Sequence, residues 1–322
     1  MKNKLMPYGL KHEVAKRWPI YDWYKSRRVA QLINPSIADT EIINLIQWGK
    51  PALVGRLGGT EARFLGEFQK ISSVPFLSQM IFRVKPNWIK RSSEVNTLSG
   101  FYFKTISEVG SFSDLYMEAL ADTDILGAWG TAFSSVESKF VSKVPCFIPV
   151  GMTAPWIQPY SDEPDSIPWS SALEKKKILV ISPFVDSIEK QFANIKNVFP
   201  YANFHNFQLL TLKSPMTLDT KYPVEKTWLQ QLNAVKDKMD VINFDVALVS
   251  AGSYSFPLAH HAKKVGKIGI HAGGGLQLFF GIMGKRWEKS DYLLKIVNDS
   301  WIRPSKAETP SSASLVENGC YW

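Results

Sequence analysis

Phe244-Asp245-Val246-Ala247-Leu248-Val249-Ser250 runs straight into Ala251-Gly252-Ser253-Tyr254, and further on Lys267-Ile268-Gly269-Ile270 runs into His271-Ala272-Gly273-Gly274-Gly275. In each case a short apolar run enters a glycine turn. An apolar run, a glycine turn and then a helix place free backbone N–H groups at the open end of a parallel sheet. That edge is where anionic nucleotide ligands bind in open α/β folds. Gly252, Ser253, Tyr254, His271, Gly273 and Gly274 are therefore candidate ligand contacts. Glycine turns after buried strands also occur where only tight packing is needed, so the pattern alone leaves both readings open.

The same alternation extends on either side. Lys177 to Ser182 is a β-branched run that predicts a strand, and Val185, Ile188, Phe192, Ile195 and Phe199 follow at helical spacing. Phe207 to Leu212 reads as the next strand. Pro223 suits a helix start, with Val224, Trp228, Leu229, Leu232 and Val235 on one apolar face. Pro257 begins another helix and Gly266 is placed to end it. Strands and helices alternating at this spacing predict an α/β, Rossmann-like, mostly parallel sheet with flanking helices and right-handed crossovers.

The N-terminal half is less regular. Pro51 to Arg56 reads as a strand, Leu57-Gly58-Gly59 as a turn, and Thr60 as the cap of a helix carrying Glu61, Phe64, Leu65 and Phe68. Asp124 to Trp129 reads as a second strand and Ser134 to Val141 as helical, so this half is expected to carry an α/β layer of its own. The Pro-, Asp- and Ser-rich stretch from Trp156 to Trp169 reads as a loop between halves. The expected division is 1–160, with the Arg-Leu-Gly-Gly-Thr-Glu loop, and 161–322, the nucleotide-binding region with a C-terminal tail.

Composition narrows the function classes. With 45% hydrophobic and 21% charged residues the chain is an ordinary folded one. A net charge of +9 suits an anionic partner. No zinc spacing, helix-turn-helix signature or RNA-binding aromatic motif is present, which argues against nucleic acid. Two cysteines, Cys146 and Cys320, make neither a metal motif nor a disulfide framework and fit a reducing cytosol. No apolar signal segment follows Met1, and the stretch from Ile268 to Met283 is too broken by glycines to span a bilayer. Lys16 to Arg28 interleaves cations with aromatics. That suits peripheral contact with an anionic membrane, on its inner face, as well as a helix packed on the body.

Three clusters can carry chemistry. Gly55-Arg56-Leu57-Gly58-Gly59-Thr60-Glu61 puts a guanidinium, glycines, a hydroxyl and a carboxylate at a strand-to-helix junction. Arg56 suits bidentate phosphate recognition. Glu61 suits a base, a metal ligand or a sugar contact, and equally a favourable charge at a helix start. Ser182-Pro183-Phe184-Val185-Asp186 follows another strand, where Ser182, Phe184 and Asp186 meet either a ligand or a capped turn. Gly281-Ile282-Met283-Gly284-Lys285-Arg286-Trp287 places Lys285 and Arg286 to neutralise a diphosphate, or in a solvated basic turn. His260 and His261 are adjacent on a predicted helix and cannot chelate one metal simply. No nucleophile-elbow pattern appears, which argues against a hydrolase.

Gly55 to Glu61, Pro168-Trp169-Ser170-Ser171-Ala172-Leu173, Ile181 to Phe184, Phe244 through Trp287 and Glu317-Asn318-Gly319-Cys320-Tyr321-Trp322 together resemble a group of bacterial capsule and O-antigen cluster proteins. That group is similar, distantly, to glycosyltransferases of the GT-D fold. The resemblance implies a Rossmann-like sheet and a nucleotide-sugar donor, with a glycan or lipid-linked acceptor in surface polysaccharide synthesis. It also implies an Arg-aromatic-Gly-Asp-Gly-Glu loop with an Asp-x-Glu motif for Mn or Mg. Arg56, Gly58 and Glu61 match that loop, while Gly59 stands at the Asp position. The expectation is a glycosyltransferase with Glu61 as base or metal ligand. A non-catalytic nucleotide-sugar-binding or scaffold subunit is the alternative.

Overall fold

The computed structural model describes residues 35–83, 85–128, 136–140, 146–149, 167–200, 206–221, 224–290 and 293–322. Lys16 to Arg28, Pro223 and most of the Trp156–Trp169 stretch lie outside the described residues.

Among the described residues seven strands form one sheet: β1 Ala52–Arg56, β2 Ile125–Ala128, β3 Cys146–Pro149, β4 Lys177–Ser182, β5 Gln208–Lys213, β6 Val246–Val249 and β7 Ile268–His271. Their order is β3-β2-β1-β7-β6-β4-β5, and every pairing is parallel. The strand residues are apolar at successive positions because both faces of the sheet are covered. Alternate side chains feed two cores: Leu53, Leu179, Ile181, Ala247 and Val249 face one way, and Ala52, Val54, Ile178, Val180, Val246 and Leu248 the other. A one-residue slip would exchange the two sets wholesale.

The helices are α1 Pro35–Trp48, α2 Gly59–Ser72, α3 Phe76–Arg83, α4 Pro86–Ser99, α5 Ile106–Ala121, α6 Val185–Ala193, α7 Ile195–Val198, α8 Trp228–Asp240, α9 Ser255–Lys264 and α10 Leu276–Phe279. Residues from α2, α4, α5, α8 and α9 cover the first face. Residues from α1, α6, α7 and α10 cover the second, with the 3-10 turn Trp169–Leu173. Helix α9 lies so close to β7 that a Cβ at Gly269 would sit 1.8 Å from the Ala259 carbonyl oxygen, so only glycine fits there.

Several expectations need correction. Among the described residues the N-terminal half has no sheet of its own, because β1 pairs with β7 on one side and β2 on the other. Residue 160 therefore does not separate two sheets. Helix α2 begins at Gly59 with Gly58 as its N-cap, so Thr60 sits inside the first turn and is not the cap. Of the stretch Ser134 to Val141, residues 136–140 are described, and they hold only a 3-10 turn, Glu137–Lys139. The helical run from Val185 to Phe199 breaks at Asn194 into α6 and α7. Helix α8 starts at Trp228, where Thr227 and Gln230 form a reciprocal capping box. As expected, α9 is ended by Gly266, whose φ of +82° is left-handed.

Candidate functional site

Strand order makes two places where neighbouring strands send their chains in opposite directions. One lies between β4, which leads outward to β5, and β6, which leads back to β7. The other lies between β1, which leads to α2 on the first face, and β7, the last strand, which leads to α10 on the second. Such reversals, at the C-terminal ends of parallel strands, are where open sheets take ligands.

The β4/β6 reversal is packed with protein. Gly252 has φ +55°, and a Cβ there would lie 2.6 Å from the Ser99 carbonyl oxygen at the end of α4. Ser253 is fully buried. Its hydroxyl accepts from Trp228 Nε1 at 2.8 Å, and its carbonyl accepts from the Tyr116 hydroxyl at 2.8 Å. The Tyr254 ring stacks on Trp228, and its hydroxyl hydrogen-bonds Thr217 Oγ1 at 3.2 Å. Thr217 also donates to the Gly100 carbonyl. Ser182 Oγ accepts from the Phe184 N–H, and buried Phe184 meets the edge of Trp322. Asp186 is exposed, with Lys213 Nζ at 3.4 Å. Gly252, Ser253, Tyr254, Ser182 and Phe184, expected as ligand contacts, are thus engaged in packing and capping within the protein.

The β1/β7 reversal gathers charge instead. Arg56 ends β1 and is partly exposed. Its guanidinium lies against the turn after β7: a Cβ at Gly273 would be 2.5 Å from Arg56 Nη2. Gly273, at φ +58°, is therefore glycine for two reasons. Glu61 is the third residue of α2 and is buried. Its carboxylate folds back over Gly58, where a Cβ would lie 1.9 Å from Oε2. Gly58 itself has an ordinary extended backbone, so the Glu61 carboxylate alone opposes a side chain there. A Cβ at Gly59 would meet nothing nearer than Arg63 Nη1 at 3.4 Å. Burial lowers the Arg56 pKa. Tyr321, Glu61 and Glu137 resist that fall, while Arg286 adds to it.

His271, at the end of β7, is buried, and its Nδ1 has no hydrogen-bond partner among the described residues. Burial pushes its pKa down to about 3, the Arg56 guanidinium adds to that, and the Arg56 main chain opposes it. The ring is therefore neutral at physiological pH.

Lys285 and Arg286 hold residues 317–322 across the same turn. Lys285 Nζ donates to the Asn318 carbonyl at 3.1 Å. Arg286 Nη2 pairs with Glu317 Oε2 at 2.5 Å and approaches Cys320 Sγ, while its guanidinium lies 4.6 Å from the Tyr321 ring centre. Burial works to lower the Arg286 pKa, but Tyr321, Cys320 and Glu317 outweigh it and hold it raised. The Tyr321 ring in turn rests on Gly274, where a Cβ would be 2.6 Å from the ring. Gly274 is thus glycine because a side chain covers it.

The structure brings together Arg56, Gly58, Gly59, Thr60, Glu61, His271, Gly273, Gly274, Lys285 and Arg286, the last two through residues 317–322. Sequence reasoning missed Tyr321, Glu137 and Glu317. The only signal was Glu317 to Trp322 within the resemblance, with no role attached. His260 and His261 lie elsewhere, paired with Asp122 and Asp240. Among the described residues no group of three or more His, Cys, Asp or Glu is arranged to hold a metal, and no helix is long and apolar enough to cross a membrane. No family model, curated protein or solved structure matches the chain.

Proposed function

We propose that the protein is a glycosyltransferase that moves a sugar from a nucleotide-diphosphate donor to a glycan or lipid-linked acceptor in bacterial surface polysaccharide synthesis, acting in the cytoplasm with peripheral contact to an anionic membrane. One observation carries the reading. The Arg56 guanidinium sits between two glycine turns at the C-terminal edge of a parallel sheet, with Glu61 buried on the first turn of the helix that follows.

In this reading Arg56 and backbone N–H groups of the two turns hold the diphosphate and stabilise the charge that grows on it. The acceptor hydroxyl attacks the sugar's anomeric carbon. The bond to the diphosphate breaks, and the nucleoside diphosphate leaves with the electron pair. Glu61 takes the hydroxyl proton. Neutral His271 keeps further positive charge out of the strand end. A divalent metal such as Mn or Mg would help neutralise the diphosphate. Of the two carboxylates that the resemblance implies for it, this chain supplies Glu61 alone, because Gly59 stands in the other position.

That same Gly59 favours the second reading, a non-catalytic nucleotide-sugar-binding subunit. A thermal-shift screen of nucleotide sugars, with and without Mn²⁺, tests the binding step. A donor at 100-fold above its Kd should stabilise by about 2.7 kcal/mol. Nucleoside-diphosphate release with acceptor tests the transfer. A shift without release would support the subunit reading, and neither response with any donor would sink both.

A further inference from the structure

We infer that Glu317 is an internal stand-in for a ligand's anionic group at Arg286, so that a diphosphate binds here by taking Arg286 from Glu317. The inference rests on the proposed diphosphate site and names the residue that sets its selectivity.

Three independent observations meet at this point. First, Arg286 spans solvent and protein. Its side chain is 33% exposed, and its inner contacts are Glu317 Oε2, Cys320 Sγ and the Tyr321 ring. A carboxylate paired bidentately or singly with guanidinium offers the same oxygen chemistry as a phosphate. Glu317 is itself 55% exposed, so it can leave without stranding a charge in the interior.

Second, the backbone that presents Glu317 is strained. Glu317, Asn318 and Gly319 run consecutively at φ +47°, +59° and +81°. Left-handed geometry is easy for glycine and unfavourable for glutamate, and two non-glycine residues in succession compound the cost.

Third, the turn connects Arg286 to the strand edge. Gly273 carries the Arg56 guanidinium and its neighbour Gly274 carries the Tyr321 ring, so Arg56 and Tyr321 sit on consecutive residues of one turn. The Tyr321 hydroxyl accepts, at 3.4 Å, from Arg286 Nη1. The two guanidinium groups thus flank one tyrosine. A ligand with one anionic group offers Arg286 no more than Glu317 already does. One with two linked phosphoryl groups can hold Arg56 and Arg286 at once. The site therefore selects diphosphate over monophosphate or carboxylate ligands.

Calorimetric titration with inorganic pyrophosphate, and with inorganic phosphate as the weaker anion, tests this. Glu317→Gln should bind pyrophosphate about tenfold tighter than the wild type, the usual worth of one charge-assisted pair. Glu288→Gln is the control. It removes the same charge two residues from Arg286, but Glu288 pairs with Arg303 and not with Arg286. Its affinity should equal the wild type's. Alkylation of buried Cys320, read by peptide mass spectrometry, should accelerate several-fold with pyrophosphate in the wild type and without ligand in Glu317→Gln. Equal affinities for wild type and Glu317→Gln, or equal tightening in Glu288→Gln, would overturn the inference, as would Cys320 labelling that neither pyrophosphate nor the substitution changes. Because pyrophosphate carries no sugar, an enzyme that binds it as expected yet transfers nothing would sink the transferase and leave the anion exchange standing.

Discussion

Gly58→Ala isolates the contact that shapes the start of α2. Gly58 has φ −67° and ψ 141°, which alanine adopts without strain. Any cost therefore comes from the added methyl. That carbon would lie 1.9 Å from Glu61 Oε2 and 2.7 Å from Cδ, so the carboxylate must move. Glu61 is buried, which leaves it few places to go. Forcing a side chain off its rotamer costs about 0.5–1.5 kcal/mol, and overpacking a buried site about 1–3 kcal/mol. Gly58→Ala should therefore destabilise by about 1–3 kcal/mol. Glu61→Ala deletes the clashing atoms, so in that background the same substitution should cost about 0.5 kcal/mol or less. Urea unfolding followed by far-UV circular dichroism on the wild type, both single variants and the double variant gives the coupling directly. It should be about 1 kcal/mol or more. A Gly58→Ala cost that is the same in both backgrounds would refute the steric account and, with it, the placement of Glu61 over Gly58.

Three further outcomes are expected. Gly59→Asp should leave stability within about 0.5 kcal/mol, because its Cβ has room and a carboxylate at the first helical position favours the dipole. If the transferase reading holds, it should also raise the response to Mn²⁺ in the thermal-shift screen. Gly252→Ala should cost about 2–4 kcal/mol in chemical unfolding, since it meets both a left-handed backbone and the Ser99 carbonyl. Asp39 accepts from the Trp169 N–H, and burial pushes its pKa from 3.8 up to about 7 although that hydrogen bond opposes the rise. The folded state then binds more protons than the unfolded state across that window, so stability falls as pH rises from about 4 to 7 and stays lost above it. The linkage ceiling is about 4 kcal/mol, and Asp39→Asn should raise the Tm at pH 8 while changing little at pH 4; equal effects at both would remove Asp39 from the pH dependence.

The sheet was legible because its strands carry local signals. Lys177–Ser182 and Ile268–His271 fall at the expected bounds, each a short apolar run closed by a polar or glycine turn. The pairing of β1 with β7 was not legible, since it joins residues from opposite halves and no local pattern encodes a partner. The start of α2 was not legible either. Thr60 is the better capping residue by type, yet α2 starts one residue earlier with Gly58 as its N-cap, and the Glu61 carboxylate folds over it.

The two glycine turns that decided the fold carry the same sequence signal and end in opposite circumstances. Gly252 faces a main-chain carbonyl, Ser99, and its neighbours Ser253 and Tyr254 spend their polar groups on Trp228, Tyr116 and Thr217. Gly273 faces a guanidinium. Burial lowers the Arg56 pKa, so keeping a charge there costs stability, which Tyr321, Glu61 and Glu137 only partly return. An apolar side chain at the end of β1 would fill the same space without that cost. A fold needs the first kind of turn for packing alone. The second kind spends stability to keep a cation at the open edge of a parallel sheet, and groups so perturbed concentrate where ligands bind. This difference in what faces each glycine, invisible in the sequence, is why the candidate site is placed at β1 and β7 and not at β4 and β6.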